Sequence, residues 1–128
     1  NSTLTGDERA AALISYSTGS ELIVKNCSTT GCGIKAVGGA GGLIGYTAAT
    51  TTISNSKVEN TEVEATEIRG EGKAAVAGAV IGTVQGATTF TNVTVSNNAV
   101  KNHNAQGDLS TYNDKVGRIV SPGTLTEN

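Results

Sequence analysis

Four glutamates come nearest, by number and spacing, to a reaction centre in this sequence. Glu59, Glu62, Glu64 and Glu67 fall close together, and a pair of them on one face of a groove could act as acid and base on a glycosidic bond. That chemistry needs two carboxyl groups at a set separation, with aromatic rings nearby on which a sugar stacks. The chain has one Phe, three Tyr and no Trp. One repeat later, Glu59 and Glu62 are replaced by Ser96 and Ala99. The glutamates therefore read as a solvated acidic face, and no catalytic residue is assigned.

Other reactive side chains give less. His103 stands between Asn102 and Asn104 in a polar stretch, with no Ser or Cys in a nucleophile motif beside it. It is the only histidine, so a metal site has too few ligands, and neither metal nor cofactor is assigned. Cys27 and Cys32 bracket Cys-Ser-Thr-Thr-Gly-Cys. That spacing suits a small disulfide loop in an oxidising compartment, or two thiols that simply pack as small apolar groups, and both readings stay open. The run Gly38 to Gly42 lacks the following Lys-Ser or Lys-Thr of a phosphate loop.

Asn26-Cys27-Ser28 and Asn92-Val93-Thr94 fit the N-glycosylation pattern. With Asn55 the same asparagines form a column better read as an internal amide ladder. Thr47, Thr50, Thr51, Thr52, Thr88, Thr89 and Thr91 are enough for a small hydroxyl array of the kind that orders water on ice-binding surfaces. Threonine is also an ordinary strand residue, and this is the reading adopted.

The elements that must carry these residues follow from composition and repetition. A chain of 128 residues fits one domain. Without Trp or Met, its core must come from Val, Ile, Leu and Ala, which calls for a thin and regular interior. Seventeen Gly against one Pro suits the corners of stacked β-coils better than a disordered linker. Nine basic residues scattered among eleven acidic ones give a net charge of −2, without the basic patch that nucleic acid requires. No apolar run approaches the ~20 residues of a membrane span, so no membrane insertion is expected. The chain starts at Asn1, as a mature or trimmed protein does once an export signal is gone.

Self-similarity then settles the arrangement. Leu43, Ile53, Val58 and Val63 recur 37 positions on as Val80, Phe90, Val95 and Val100. An upstream copy holds Leu13 at an offset of 30, and Val24 and Ile34 at 29, so its first loop carries one extra residue. A fourth copy opens at Val116 to Val120 and stops. Each copy holds three short segments rich in Ile, Val and Thr, with no Asn-Gly or Asp-Gly between them to make a tight hairpin.

The expected fold is all-β, a short parallel solenoid of about three coils with three strands per coil, right-handed as parallel crossovers are. Its expected columns are Val24-Ile53-Phe90, Leu13-Leu43-Val80 and the buried Asn26-Asn55-Asn92. Residues 1–10 are expected to lead in or cap, with Thr5 as N-cap of a helical turn or Ala10 and Ala11 running straight into the first strand. The repeats are set at 11–40, 41–77, 78–115 and a partial 116–120 (together 11–120), and residues 121–128 form a tail. Inserts at Glu67 to Lys73 and Lys101 to Asp108 fall between copies, on the side of a solenoid that often binds. The open C-terminal coil is expected to associate with another copy or to be continued by another domain.

Gly42-Leu43-Ile44-Gly45-Tyr46, followed by Thr52-Ile53-Ser54-Asn55, resembles the GLUG motif of exported bacterial surface proteins. The later copy departs from it with Ala79-Val80, and the earlier one lacks the last Gly at Ser15. The resemblance covers most of residues 11–100. It implies a secreted or cell-surface bacterial location and a structural or adhesive role; the expected function adds host glycan or host protein as partner, met through the inserts between copies. It brings no catalytic residues. The alternative function is a degenerate carbohydrate-active β-helix.

Overall fold

The computed structural model describes residues 3–6, 9–36, 39–65, 77–102, 115–119 and 123–128. Among these there is no helix, and every strand pairing is parallel. A first group of strands comprises β1 (Thr3–Gly6), β2 (Arg9–Ala11), β3 (Ile14–Ser17), β4 (Glu21–Lys25), β5 (Ser28–Thr30) and β6 (Gly33–Ala36). A second comprises β7 (Gly39–Gly41), β8 (Ile44–Thr47), β9 (Thr50–Glu59) and β10 (Glu62–Ala65). The remainder are β11 (Ala77–Gly78), β12 (Ile81–Val84), β13 (Ala87–Ser96), β14 (Ala99–Asn102), β15 (Val116–Ile119) and β16 (Thr124–Glu127).

These strands stack into four sheets: β1-β6-β10-β14, β2-β7-β11, β3-β8-β12-β15 and β4-β9-β13-β16, with β5 also on β9. The chain visits the last three in order and returns to the first, which is the winding of a β-solenoid. Three of the sheets come from the three segments read in each copy. The fourth, β2-β7-β11, is a short ladder of Gly, Ala and Arg9 that low strand propensity hides in the sequence.

The registers follow the repeat. Ile14 pairs with Ile44 at an offset of 30, Val24 with Ile53 at 29, and Phe90 with Ile53 at 37. The extra residue of the first copy lies between β3 and β4, where Gly19 takes φ +128. Val24, Ile53 and Phe90 are buried neighbours in successive coils, inside a cluster that also holds Leu43, Ile44, Val58, Val80 and Ile81. A second cluster of Ile34, Ala36, Ala40, Val63, Ala65 and Ala77 fills the narrower space under the glycine-rich sheet.

The ten-residue strand β9 bends, because its inward positions do not alternate throughout. Thr51 and Ile53 are buried, then Ser56 and Val58, a step of three across Asn55. Asn55 has φ +50, and this left-handed residue turns the chain so that Ile53 and Ser56 both face inward. The step recurs across Asn60, at φ +51, between Val58 and buried Thr61.

Close approach explains two glycines. A Cβ on Gly42 would stand 2.0 Å from the Ala79 carbonyl oxygen and 2.8 Å from a Val58 methyl. One on Gly82 would stand 2.6 Å from the Gly45 oxygen and 2.7 Å from that of Ala40. Gly42 lies in the tight β7-to-β8 turn, and Gly82 lies within β12 against the β7 and β8 backbone of the coil below.

The ends depart from expectation. Thr3–Gly6 is a strand paired with β6 rather than part of a helical turn, because pairing satisfies backbone groups that a single turn would leave open. Ala10 and Ala11 belong to β2, which is the direct entry into the stack. The fourth copy opens as read, with β15 on β12. The stretch taken as a tail is not one, since Thr124–Glu127 pairs with β13 and extends the solenoid. In the column Leu13-Leu43-Val80 only the last two are buried; Leu13, on the open edge, is 50% exposed.

Candidate functional site

The outward positions of β9, β10 and their neighbours hold most of the polar side chains singled out above. Glu59 ends β9, and Glu62 and Glu64 lie on β10. Each has a lysine at ion-pair distance. Lys57 Nζ stands 3.0 Å from Glu59, Lys101 Nζ 3.3 Å from Glu62, and Lys35 Nζ 3.9 Å from Glu64. The Ser96 hydroxyl also donates to Glu59, at 3.4 Å. In register, Lys35, Glu64 and Lys101 form one column of alternating charge through three coils. Exposed pairs of this kind contribute about 0.2–1 kcal/mol each and are screened by salt. Glu67 and His103 lie outside the described residues.

The asparagine column exists, but on the other side of the wall. Asn26, Asn55 and Asn92 are all exposed, with φ +55, +50 and +55. The Asn92 amide donates to the Asn55 side-chain oxygen at 3.0 Å. The expectation of a buried ladder is therefore corrected: a left-handed corner residue turns its side chain outward, and asparagine is chosen there for its backbone. Sequence reasoning missed a second such column. Gly31, Asn60 and Asn97 all have positive φ, and Asn97 donates to Asn60 at 2.7 Å. Its signal was legible, since 31, 60 and 97 repeat the offsets of 29 and 37, and Gly and Asn are the residues that accept this conformation.

Where the residue after a corner is polar, as Ser56 and Asn98 are, it accepts from the backbone of the coil below; Val93, after Asn92, has no group to do so. The Cys27 N–H donates to Ser56 Oγ at 3.2 Å, and the Thr61 N–H to Asn98 Oδ1 at 2.9 Å. Cys27 and Cys32 occupy these two positions in the first coil. Both are free, half-buried thiols, and their Sγ atoms donate to the carbonyls of Lys25 and Thr30. A shallow open depression runs along the first corner column, lined by Asn26, Ser28, Asn55, Lys57, Asn92 and Thr94 among others.

The threonines divide. Thr47, Thr51 and Thr88 are buried, whereas Thr50, Thr52, Thr89 and Thr91 lie on the outer side of their strands, with Thr124 and Thr126 continuing two of these columns. Gly39–Gly41 forms β7, so the glycine run builds a sheet and its turn.

Among the described residues no three His, Cys, Asp or Glu side chains gather as a metal-binding group, and no helix is long and apolar enough to cross a membrane. The surface therefore offers amides, hydroxyls and paired charges in columns, chemistry suited to hydrogen-bonded contact. Comparison with known protein families, with curated proteins and with solved structures finds no match.

Proposed function

We propose that this chain is a non-catalytic repeat module of an exported or cell-surface bacterial protein, a spacer or adhesive element that meets host glycan or host protein through its outer surface. One observation carries the reading: Glu59, Glu62 and Glu64 are each paired with a lysine, Glu59 with Lys57 on its own strand and the other two with lysines of neighbouring coils. A retaining or inverting glycosidase needs two carboxyl groups facing one substrate, and a spacer needs a surface of uniform columns. The GLUG-like pattern around Gly42 and Gly45 supports an exported location, and the outward amides and hydroxyls support a polar partner. Contact through the inserts at Glu67 to Lys73 and Lys101 to Asp108 belongs to the same proposal.

A glycan and host-protein array probed with the labelled chain tests it, run beside an assay for reducing ends or unsaturated products released from the glycans. Binding to a restricted set without release is the expected result. Release of product that disappears in Glu59→Gln or Glu62→Gln would overturn it in favour of an enzyme.

A further inference from the structure

Two columns of left-handed corners run up the wall, and they differ in what they present. The second, Gly31, Asn60 and Asn97, includes a glycine, which is all that the backbone asks of such a corner. The first carries an amide on every rung, at Asn26, Asn55 and Asn92, and all three are exposed. Its side chains therefore supply something that the turn alone does not require.

What they supply is unused hydrogen-bonding capacity. Among the described residues, the one side-chain bond within this column runs from the Asn92 amide to the Asn55 oxygen, at 3.0 Å. Both ends of the Asn26 amide, the Asn55 N–H groups and the Asn92 oxygen are left to solvent. Two residues past their corners, exposed Ser28 and Thr94 occupy one outward column, with Lys57 on the rung between them. Lys57 Nζ stands 3.0 Å from Glu59, so its charge is offset. These groups line one open depression of about 360 Å³ along the corner, a volume within the range of small-ligand sites.

The lining narrows the occupant. A peptide docks its side chains through apolar anchors or through charge, and the depression holds no aromatic or branched aliphatic side chain and no unpaired charge. Amides and hydroxyls both donate and accept, as the hydroxyls of an uncharged sugar do. The column repeats them once per coil, at about 4.8 Å, so a chain of sugars lying along the stack meets the same amide on each rung.

We propose that this depression binds an uncharged glycan chain laid along the Asn26, Asn55 and Asn92 corners. The assignment rests on the glycan binding proposed above, and it sets the contact on the solenoid wall rather than on the inserts. Without a ring to stack on, each rung gains little over competing water. Affinity therefore grows with the number of rungs engaged at once.

Glycine accepts the same corner conformation, so Asn26→Gly, Asn55→Gly and Asn92→Gly combined remove the amides and keep the turns. The probe is an array of neutral mannose, glucose, galactose and N-acetylglucosamine oligosaccharides beside uronic-acid and sulfated oligosaccharides and peptides. It is read with the 128-residue chain, with the triple variant, and with a control carrying Asn60→Gly and Asn97→Gly in the other column. The chain is expected to bind a neutral oligosaccharide, more tightly as that oligosaccharide lengthens. The triple variant should bind it roughly tenfold more weakly, and the control should match the parent. If the triple variant melts early, Thr94→Arg replaces it and should weaken binding roughly threefold by filling the depression. Neutral binding that persists in these variants, or an equal loss in the control, would overturn the site and leave the glycan reading standing. Preference for the acidic oligosaccharides or the peptides would overturn the ligand assigned here, and silence across the whole array would overturn both the site and the reading beneath it.

Discussion

Asn55 shows how a backbone requirement can pass for a side-chain one. Its amide accepts from Asn92, yet the side chain is exposed and the residue sits at φ +50. The amide contact competes with water, whereas the left-handed conformation disfavours any residue with an ordinary Cβ by about 1–2 kcal/mol. Asn55→Ala is therefore expected to lose about 1 kcal/mol in urea unfolding, while Asn55→Gly keeps the stability of the parent. Equal losses in both would assign the stability to the amide ladder. Thr51 and Thr88 make a second contrast. They are register partners, both buried. Thr51 Oγ1 bonds Thr47 Oγ1 at 2.9 Å and the Ala49 carbonyl at 3.1 Å. In the next coil Val84 takes the place of Thr47, and the Thr88 hydroxyl has no partner. Thr51→Val should cost about 1–3 kcal/mol and Thr88→Val should be neutral or stabilising. A larger loss from Thr88→Val, in the same unfolding assay, would mean that a hydrogen bond is made there after all.

Strands and turns show what the repeat could and could not disclose. Val24, Ile53 and Phe90 were legible because one offset carried each apolar residue onto another. The second corner column was equally periodic, but Gly31, Asn60 and Asn97 share only a backbone preference. β16 escaped notice for a stronger reason: Glu127 occupies the rung above Phe90, so the apolar pattern breaks at the point where the coil continues. The ladder β2-β7-β11 was hidden by its composition, since Gly and Ala rank low as strand formers and are present there to let sheets approach. The Gly42 contact gives that approach a measurable consequence. Its N–H donates to the Ala79 carbonyl at 3.0 Å, and an added Cβ would lie 2.0 Å from the same oxygen. Backbone cannot yield as a flexible side chain can, so Gly42→Ala is expected to destabilise by about 1–3 kcal/mol. An unchanged melting temperature would show that the β7-to-β8 turn can open.

A solenoid differs from a globule in how damage spreads. Each coil touches only the coils above and below, so stability is close to a sum of single-coil and neighbour terms. The same residue type should therefore matter differently by rung. The site was less legible than the fold for a related reason: partners such as Lys35, Glu64 and Lys101 share a column without sharing a residue type, and charge pairing leaves no repeat to read. Within the core the position along the stack can be tested directly. Val24, Ile53 and Phe90 form one buried column, with Val24 on the first coil and Ile53 between the other two. Ile53→Ala opens a cavity at the centre, is expected to cost about 2–5 kcal/mol, and weakens the interfaces on both sides at once. Val24→Ala disturbs only the interface of the outermost coil. Native-state hydrogen exchange should accordingly show Val24→Ala losing protection in β4 and β6 while β9, β13 and β14 keep theirs. Ile53→Ala should lower protection in β4, β9 and β13 together. If Val24→Ala instead lowers protection evenly through to β14, the stack unfolds as one cooperative block, and the nearest-neighbour account of its stability fails.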